Sequence, residues 1–412
     1  MTGRLRLAGR RPTGRGRLAL LAVGAASVTL ISACGSPTPA AGGDPKVVKI
    51  AIGGPMTGDA ANDGKQLYQG AELAAISIND AGGISGGPLK SAKIILVKYD
   101  DKDDPQTGVT VARQVLSDSS ILAYAGGAIS DVSVAQAPIF ERSGMPFLSV
   151  YASADTILEP AKQHVFVVPP TFAAYSYSMA ETIAAEKINS VGIVHLTGTY
   201  GELITKYLVE RLRALQISIV ANEAFNFGDT DLRPQLSKVK AGSPQALVMV
   251  GFTDSDTLML KQAQQLGLTV PVYDPGGIVY SQTFLDAAGP LANGVTGNTP
   301  SDPHRATPAT QKLLTAWQAK YNTSVIPDSG AFAWEAIHAI AAAVAAGGVT
   351  RESLARELHS VSIADTGIGS LRFDGSGARV GGRLWIFRID NGKFNVIAGY
   401  EQQAQFTVVK IR

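Results

Sequence analysis

Along most of this chain, short aliphatic runs alternate with longer segments whose apolar residues recur every three or four positions. The first run, Val47–Ile52, is followed by a glycine-rich turn and then by Gln66–Asp80, in which Leu67, Ala71 and Ile78 share one face of a helix. Strands separated in this way by helices predict a parallel sheet that is covered by helices on both faces.

The alternation continues to about residue 168 and restarts after Pro169-Pro170. In the first part, strands are predicted at 92–99, 121–125 and 146–150, and helices at 105–116 and 132–142. In the second part, helices are predicted at 173–186, 202–215, 232–240 and 257–266, and strands at 190–196, 218–223, 247–252 and 270–273. Beyond Pro300 come helices at 308–321, 330–346 and 351–360, then strands at 383–389 and 394–399. Two successive doubly wound α/β halves are the economical interpretation.

The N-terminal segment has the features of an export signal. Six arginines within the first 17 residues precede an apolar run at 18–31, which is too short to span a bilayer comfortably. The run ends in Leu30-Ile31-Ser32-Ala33-Cys34, which resembles the lipobox of bacterial lipoproteins and implies that Cys34 is lipidated and becomes the mature N-terminus. The alternative is an ordinary cleaved signal with Cys34 as a small apolar residue. Arg10-Arg11 is only a weak match to a twin-arginine signal.

Removal of residues 1–33 changes the length and the net charge expected for the mature protein. The remaining 379 residues suffice for two domains, and they hold 30 basic and 34 acidic residues, a net charge of −4. Nothing therefore argues for nucleic-acid binding. Cys34 is the only cysteine, which excludes a disulfide within the chain. No other apolar run approaches the ~20 residues of a transmembrane helix, and residues 34–45 are predicted to be a flexible linker.

Several segments resemble the type I solute-binding proteins of ABC importers, and most closely the leucine/isoleucine/valine-binding proteins. They are VKIAIGGPMTG (48–58), GAELAAISINDAGGISGG (70–87), Asp100…Asp104-Pro105 and FERSGMPFLSVYAS (140–153). The resemblance implies an α/β fold of two Rossmann-like lobes joined by a three-stranded hinge. It places 46–168 with 300–380 in the N-terminal lobe and 169–299 with 381–412 in the C-terminal lobe. The implied partners are a small-molecule ligand and the permease and ATPase subunits of the importer.

Open α/β sheets bind ligands beyond the carboxyl ends of their strands, so the loops there are the candidate site. Ser130 follows one predicted strand at the start of a helix, where free N–H groups and the helix dipole favour an anion. Ser153 follows the next strand. The resemblance implies that Ser130, Ala152 and Ser153 hold a ligand carboxylate through hydroxyl and backbone donors. The alternative is that both serines are plain helix N-caps.

The resemblance also implies three contacts elsewhere in the cleft. Tyr200 lies in a Tyr-Gly turn after the strand that ends at Leu196, at the predicted cleft mouth. Phe252 follows another strand and is expected to pack on the ligand, although such a residue is more often core. Asp63 is expected in a cleft-facing loop, where relatives often present an aromatic residue.

One departure from the resemblance concerns the ligand. Amino-acid receptors of this family hold the α-ammonium with a carboxylate in a Pro-Glu-Gly pattern, and here Gly276 stands at that place. A desolvated ammonium without a counter-charge costs several kcal/mol. Either Asp254, Asp274 or Asp63 substitutes for it, or the ligand is an amide, a urea-like molecule or a carboxylate without an α-amino group.

Enzyme interpretations are weaker. The Gly83–Gly87 segment fits G-x-S-x-G, but a helix precedes it and a strand follows, the reverse of a hydrolase elbow. The five histidines are scattered, the acidic run at 100–104 lacks the rest of a calcium loop, and neither a Walker A nor a G-x-G-x-x-G pattern is present. We therefore expect a non-enzymatic, cofactor-free and metal-free protein, exported and lipid-anchored. A ligand-sensing surface receptor is the alternative, and an extracellular hydrolase is a remote one.

Overall fold

The computed structural model describes residues 46–411 apart from 59, 160–162, 302–306 and 405–406. The predicted signal peptide, the linker and Cys34 lie outside the described residues. The strands are β1 (Val47–Gly54), β2 (Lys93–Asp100), β3 (Ile121–Gly126), β4 (Phe147–Ser149), β5 (Val165–Val167), β6 (Ser190–Leu196), β7 (Ser218–Phe225), β8 (Ala246–Val250), β9 (Val272–Asp274), β10 (Thr296–Thr299), β11 (Ser362–Ile363), β12 (Leu371–Arg372), β13 (Arg383–Asp390), β14 (Lys393–Ala404) and β15 (Thr407–Lys410).

The helices connect these strands in the predicted alternation. They are α1 (Ala61–Asp80), α2 (Pro105–Ser117), α3 (Ser130–Arg142), α4 (Phe172–Ala185), α5 (Thr199–Ala214), α6 (Arg233–Ala241), α7 (Thr253–Gln265), α8 (Gln282–Ala288), α9 (Pro308–Tyr321), α10 (Asp328–Ala346) and α11 (Arg351–Ser360).

The first sheet is parallel throughout, with strand order β2-β1-β3-β4-β5. Its central strands β3 and β4 are almost wholly buried, as expected for strands covered on both faces. Helices α1 and α10 pack together over one face of this sheet, and α2 and α3 pack over the other. The carboxyl ends of β3 and β4 therefore point toward a common edge, from which α3 and the 150–155 segment begin.

The second sheet is mixed, with strand order β15-β14-β13-β10-β9-β8-β6-β7. Strands β6 to β10 pair in parallel, while β13, β14 and β15 add to the β10 edge as an antiparallel extension. The trailing strands near residues 383 and 394 thus complete the second half alone, whereas α9 to α11 pack with the first. The short strands β5, β10, β11, β12 and β15 were not predicted.

The chain passes between the two sheets three times: after β5, after β10 and before β13. Two α/β lobes are thus built from non-contiguous segments, which is the predicted fold class. The precise lobe boundaries remain a prediction.

One helix in the described part of the chain, α10, is long and apolar enough to cross a membrane by length and composition. The expectation that no second apolar run approaches that length is therefore wrong for α10. In the fold, 72% of the apolar stretch is buried, because α10 packs along α1 and against β3. It is a core helix, which explains its apolar composition without a bilayer.

Candidate functional site

A cavity lies where the loops after the parallel strands of both sheets meet. The first lobe supplies residues that follow β3 and β4, and the second supplies residues that follow β6, β8 and β9, together with the first turn of α4. Six of the seven residues predicted to bind ligand line this cavity: Ser130, Ala152, Ser153, Tyr200, Phe252 and Gly276. The strand-end argument therefore brings together residues that are up to 146 positions apart in the chain.

The first-lobe wall of the cavity carries two buried serines. Ser130 is 2% exposed and is the first residue of α3, whose N-cap is Ile129 and carries no side-chain cap bond. Ser153 is 3% exposed, and its Oγ has no hydrogen-bond partner among the described residues. The alternative that both serines are plain N-caps is wrong, since neither hydroxyl caps a helix. Their hydroxyls are available to a bound group.

Ala152 does not offer its backbone N–H to a ligand, although the resemblance implies that it holds the ligand carboxylate. Its N–H donates to the carbonyl oxygen of Gly127 at 2.8 Å, so this donor is already used. The remaining backbone donors at this wall are the first N–H groups of α3, which have no partner within the helix. The N-terminus of a 13-residue helix also places partial positive charge there.

Aromatic rings form the opposite wall. Tyr200 and Phe252 are stacked with centroids 5.2 Å apart and an interplanar angle of 15°, and Phe172 meets Tyr200 edge-on at 5.7 Å. Phe252 is half-buried and lines the cavity, so it is not simply a core residue. Burial raises the pKa of Tyr200 well above its ordinary value, which keeps the phenol neutral, and its hydroxyl has no partner among the described residues.

Gly276 lies directly against that hydroxyl. A Cβ at position 276 would stand 1.8 Å from the Tyr200 hydroxyl oxygen, so this close approach requires glycine. The neighbouring carboxylate of Asp274 accepts the N–H of Gly276 at 2.7 Å and that of Val279 at 3.1 Å. Asp274 is fully buried, and burial raises its pKa to about 6. Its hydrogen bonds show that it shapes the turn after β9.

Asp63 departs from the prediction in two ways. It lies in the first turn of α1 rather than in a loop, because the helix begins at Ala61, five residues before the start predicted from its apolar stripe. It is also outside the set of residues that line the cavity. Burial, with a smaller contribution from the charge of Asp254, raises the pKa of Asp63 to about 7. Its charge still acts on two cavity tyrosines, Tyr151 and Tyr200.

Five further residues line the cavity but were not predicted as site residues: Ala128, Tyr151, Phe172, Tyr175 and Ile278. Ala128, Tyr151 and Ile278 are close in sequence to predicted positions, in loops that follow predicted strands. Phe172 and Tyr175 belong to the first turn of α4, directly after a crossing between the sheets. Only the arrangement of the two lobes brings that turn to the cavity, and no sequence motif marks it.

The cavity is built for binding rather than for bond-breaking chemistry. Its polar atoms are mainly hydroxyls of serine and tyrosine, and no histidine or carboxylate is among the residues that line it. Within the described residues, no group of three or more His, Cys, Asp or Glu is placed to hold a metal ion. Two α/β lobes that enclose such a cavity at their strand ends define a two-lobed solute-binding protein.

Comparison with known proteins gives the family. The sequence matches the periplasmic binding protein family over residues 47–393, and the chain belongs to it. It is 28% identical over 334 residues to the leucine-, isoleucine-, valine-, threonine- and alanine-binding protein of Pseudomonas aeruginosa, covering 80% of this chain and 86% of that protein. Members of this family are exported solute-binding proteins and not enzymes.

Solved structures show the same fold. A branched-chain amino acid transporter substrate-binding protein from Streptococcus pneumoniae, in complex with isoleucine, superimposes with a TM-score of 0.77 at 22% identity, covering 85% of this chain and 99% of that one. A solute-binding protein from R. palustris, in complex with benzoate, gives a TM-score of 0.78 at 18% identity, covering 85% and 95%.

Proposed function

We propose that this protein is the lipid-anchored substrate-binding protein of an ABC importer, and that it captures a small polar organic ligand between its lobes. The observation that carries the proposal is the cavity at the strand ends, where buried hydroxyls of Ser153 and Tyr200 have no partner among the described residues. A buried, unsatisfied hydroxyl costs free energy unless a ligand completes its hydrogen bonds. A ligand that completes the hydrogen bonds of these hydroxyls therefore removes an energetic cost, which favours its binding in the cavity.

Relatives support the transport role and leave several ligands open. The Pseudomonas relative is named for branched-chain and small amino acids, and the two solved structures hold isoleucine and benzoate. All of these ligands carry a carboxylate. The Ser130 and Ser153 hydroxyls, with the N-terminus of α3, are the groups we propose to hold it in this chain.

Capture is proposed to proceed by closure of the two lobes about the three crossing segments. Two hydrogen bonds support closure because they join opposite sides of the cleft. Thr199 in α5 donates to Asp131 in α3, and Gln66 in α1 donates to Thr283 in α8 at 3.3 Å. A ligand that contacts both lobes then selects the closed state, with the open state only a few kcal/mol away.

Anchoring through Cys34 completes the proposal. Lipid attachment at the mature N-terminus keeps the receptor beside its permease, and more than one acyl chain is needed for stable attachment. Cell fractionation of the full chain and of its Cys34→Ala variant tests this. The parent protein is expected in the membrane fraction and the variant in the soluble fraction, and a variant that stays with the membrane contradicts the anchor.

A thermal-shift panel on the chain from residue 34, with Cys34→Ser to keep it soluble, tests ligand capture. Amino acids, amides and amine-free carboxylates are each added in excess. A ligand at about 100 Kd is expected to add roughly 2.7 kcal/mol to the free energy of unfolding. The Ser153→Ala variant serves as the matched control and is expected to lose most of the shift. If no compound in the panel stabilises the protein, or if both proteins respond equally, the proposed site is wrong.

A further inference from the structure

No side chain that lines the cavity carries a charge. Ten of its lining residues are neutral side chains with hydroxyl, aromatic or aliphatic groups, and the eleventh is Gly276. An ammonium group enclosed there loses its hydration and gains no ion pair, which costs several kcal/mol. The same cavity suits an anion better, because helix N–H groups and hydroxyl donors face it at Ser130 and Ser153.

Tyr200 fills the space beside Gly276 that an ammonium-binding side chain would need. Its hydroxyl oxygen lies 1.8 Å from the position of a Cβ at residue 276, and its ring is held by the stack on Phe252 and the edge contact with Phe172. Any larger residue at 276 would displace this ring. The pocket therefore has an aromatic wall and a neutral hydroxyl where a carboxylate is absent.

Three carboxylates near this wall, those of Asp274, Asp256 and Asp63, are not among the groups that line the cavity. Asp274 uses one oxygen for the N–H of Gly276 and the other for the N–H of Val279. Asp256 is fully buried, and its two carboxylate oxygens have no hydrogen-bond partner among the described residues. Neither Asp274 nor Asp256 lines the cavity. Asp63 also lies outside the lining and carries the like charge of Asp254 as its electrostatic neighbour. An ammonium inside the cavity therefore has no carboxylate among the side chains that enclose it.

We infer that the ligand is a small monocarboxylate with an apolar body and no α-ammonium group. This rests on the proposed function and narrows its substrate class. The carboxylate lies against Ser130, Ser153 and the N-terminus of α3. The body of the ligand lies among Phe172, Phe252 and Ile278, and the Tyr200 hydroxyl donates a hydrogen bond to the ligand instead of receiving an ammonium.

Isothermal titration calorimetry with pairs of ligands that differ only in the amine tests the inference. The pairs are 4-methylpentanoate with leucine and 3-phenylpropanoate with phenylalanine, and benzoate is added as a flat carboxylate. In at least one pair the amine-free member is expected to bind more than about tenfold tighter, a difference of about 1.4 kcal/mol. Amino acids that bind as tightly as their amine-free partners in every pair that binds overturn the inference and leave the proposed function intact. No binding by any member overturns both.

Two variants test whether Tyr200 and Gly276 determine the preference for ligands without an amine. Tyr200→Phe keeps the ring but removes the hydroxyl, and is expected to weaken carboxylate binding by about fivefold, the effect of one buried hydrogen bond. Tyr280→Phe, in the second-lobe core and outside the cavity lining, is the matched control and is expected to bind normally. The double variant Tyr200→Ala/Gly276→Glu provides space and a carboxylate, so it is expected to shift preference toward the amino acid of each pair. An unchanged preference in that variant contradicts the assigned role of this wall.

Discussion

The carboxylate of Asp131 caps helix α5 from the opposite lobe. It accepts the N–H of Thr199 at 3.1 and 3.3 Å through its two oxygens, and it also accepts the Thr199 hydroxyl. The residue before Thr199 is Gly198, the N-cap of α5, which has no side chain to serve as a cap and a φ of +93°. A Cβ there would stand 2.7 Å from Asp131 Oδ2. The cap of α5 is therefore complete only when the lobes are together.

Replacement of Asp131 by alanine is expected to weaken ligand binding by about fivefold, since N-cap interactions contribute about 1 kcal/mol. The variant destabilises the closed state, because the hydrogen bonds between Asp131 and Thr199 join the lobes only when these are together. Calorimetric titration measures the affinity, and small-angle scattering is expected to show a more open ligand-free protein.

Asp104→Ala is the matched control. Asp104 caps α2 within the first lobe, where its Oδ1 accepts the N–H of Thr107 at 2.7 Å. This variant is expected to lower the free energy of unfolding without a change in ligand affinity. Equal losses of affinity in both variants would show that the Asp131 effect is a general destabilisation.

The hydroxyls of Ser130 and Ser153, on the first-lobe side of the cavity, give a second prediction. Ser130→Ala and Ser153→Ala together are expected to weaken binding of a carboxylate ligand by roughly 100-fold or more, because hydrogen bonds to charged groups contribute about 1.5–3 kcal/mol each. Ser133→Ala is the control in the same helix, since its hydroxyl already donates to Ile129 O at 2.8 Å. Competition binding measures all three proteins, and unchanged affinity in the double variant excludes the anion site.

Asp63 predicts a pH dependence. Its pKa is raised to about 7 in the folded protein, mainly by burial. The folded state therefore binds this proton more tightly than the unfolded state, and the free energy of unfolding falls as pH rises from about 4 to about 7. Above pH 7 the penalty is fully present and no longer grows.

The difference between Asp63→Asn and the parent protein isolates this carboxyl from the other buried acids. The variant is expected to be more stable at pH 8, by an amount on the order of a few kcal/mol, and the two proteins are expected to converge near pH 4. Urea unfolding at several pH values measures this. Asp254→Asn is expected to keep most of the dependence, because burial is the larger cause. A variant difference that does not change with pH contradicts the assignment.

An element is predictable from the sequence when the interactions that define it are local in the chain. The helices at 308–321 and 351–360 were predicted with the bounds that the structure has, because apolar spacing and capping residues are local signals. The strands β5 and β10 were missed, since three or four residues are too few to show a period. The structure also places β13 to β15 in the second sheet alone, which the chain order left open.

The site likewise contains residues that the sequence predicts and contacts that it does not. Ser130 and Ser153 follow from the convergence of strand ends in a parallel sheet, whereas Tyr200 and Phe252 were expected from the resemblance to branched-chain receptors. The contact between Tyr200 and Gly276 was not, because it joins two loops of the second lobe that are 76 residues apart. The cap that Asp131 provides for α5 depends on how the lobes face one another. Such contacts carry no sequence period and are settled only by tertiary packing.

A buried ion pair beside the crossing segments gives the last prediction. The Arg379 guanidinium contacts Glu335 through Nη1–Oε2 at 2.6 Å and Nη2–Oε1 at 3.2 Å, and its Nη1 also donates to Val168 O at 2.9 Å. Glu335 is fully buried in α10, while Val168 and Arg379 belong to the first and third crossings. The pair therefore joins a core helix to two of the segments about which closure is proposed.

Glu335→Leu is expected to lower the free energy of unfolding by about 3–5 kcal/mol, because it leaves the buried Arg379 charge without its partner. The double variant Glu335→Leu/Arg379→Met is expected to recover at least half of that loss, since no charge then remains unpaired. Arg383→Met is the control: its pair with Glu401, at 3.1 Å, is largely exposed, and its loss is expected to cost about 1 kcal/mol or less. Urea unfolding compares the four proteins, and a double variant as unstable as Glu335→Leu would show that packing rather than charge pairing dominates at this position.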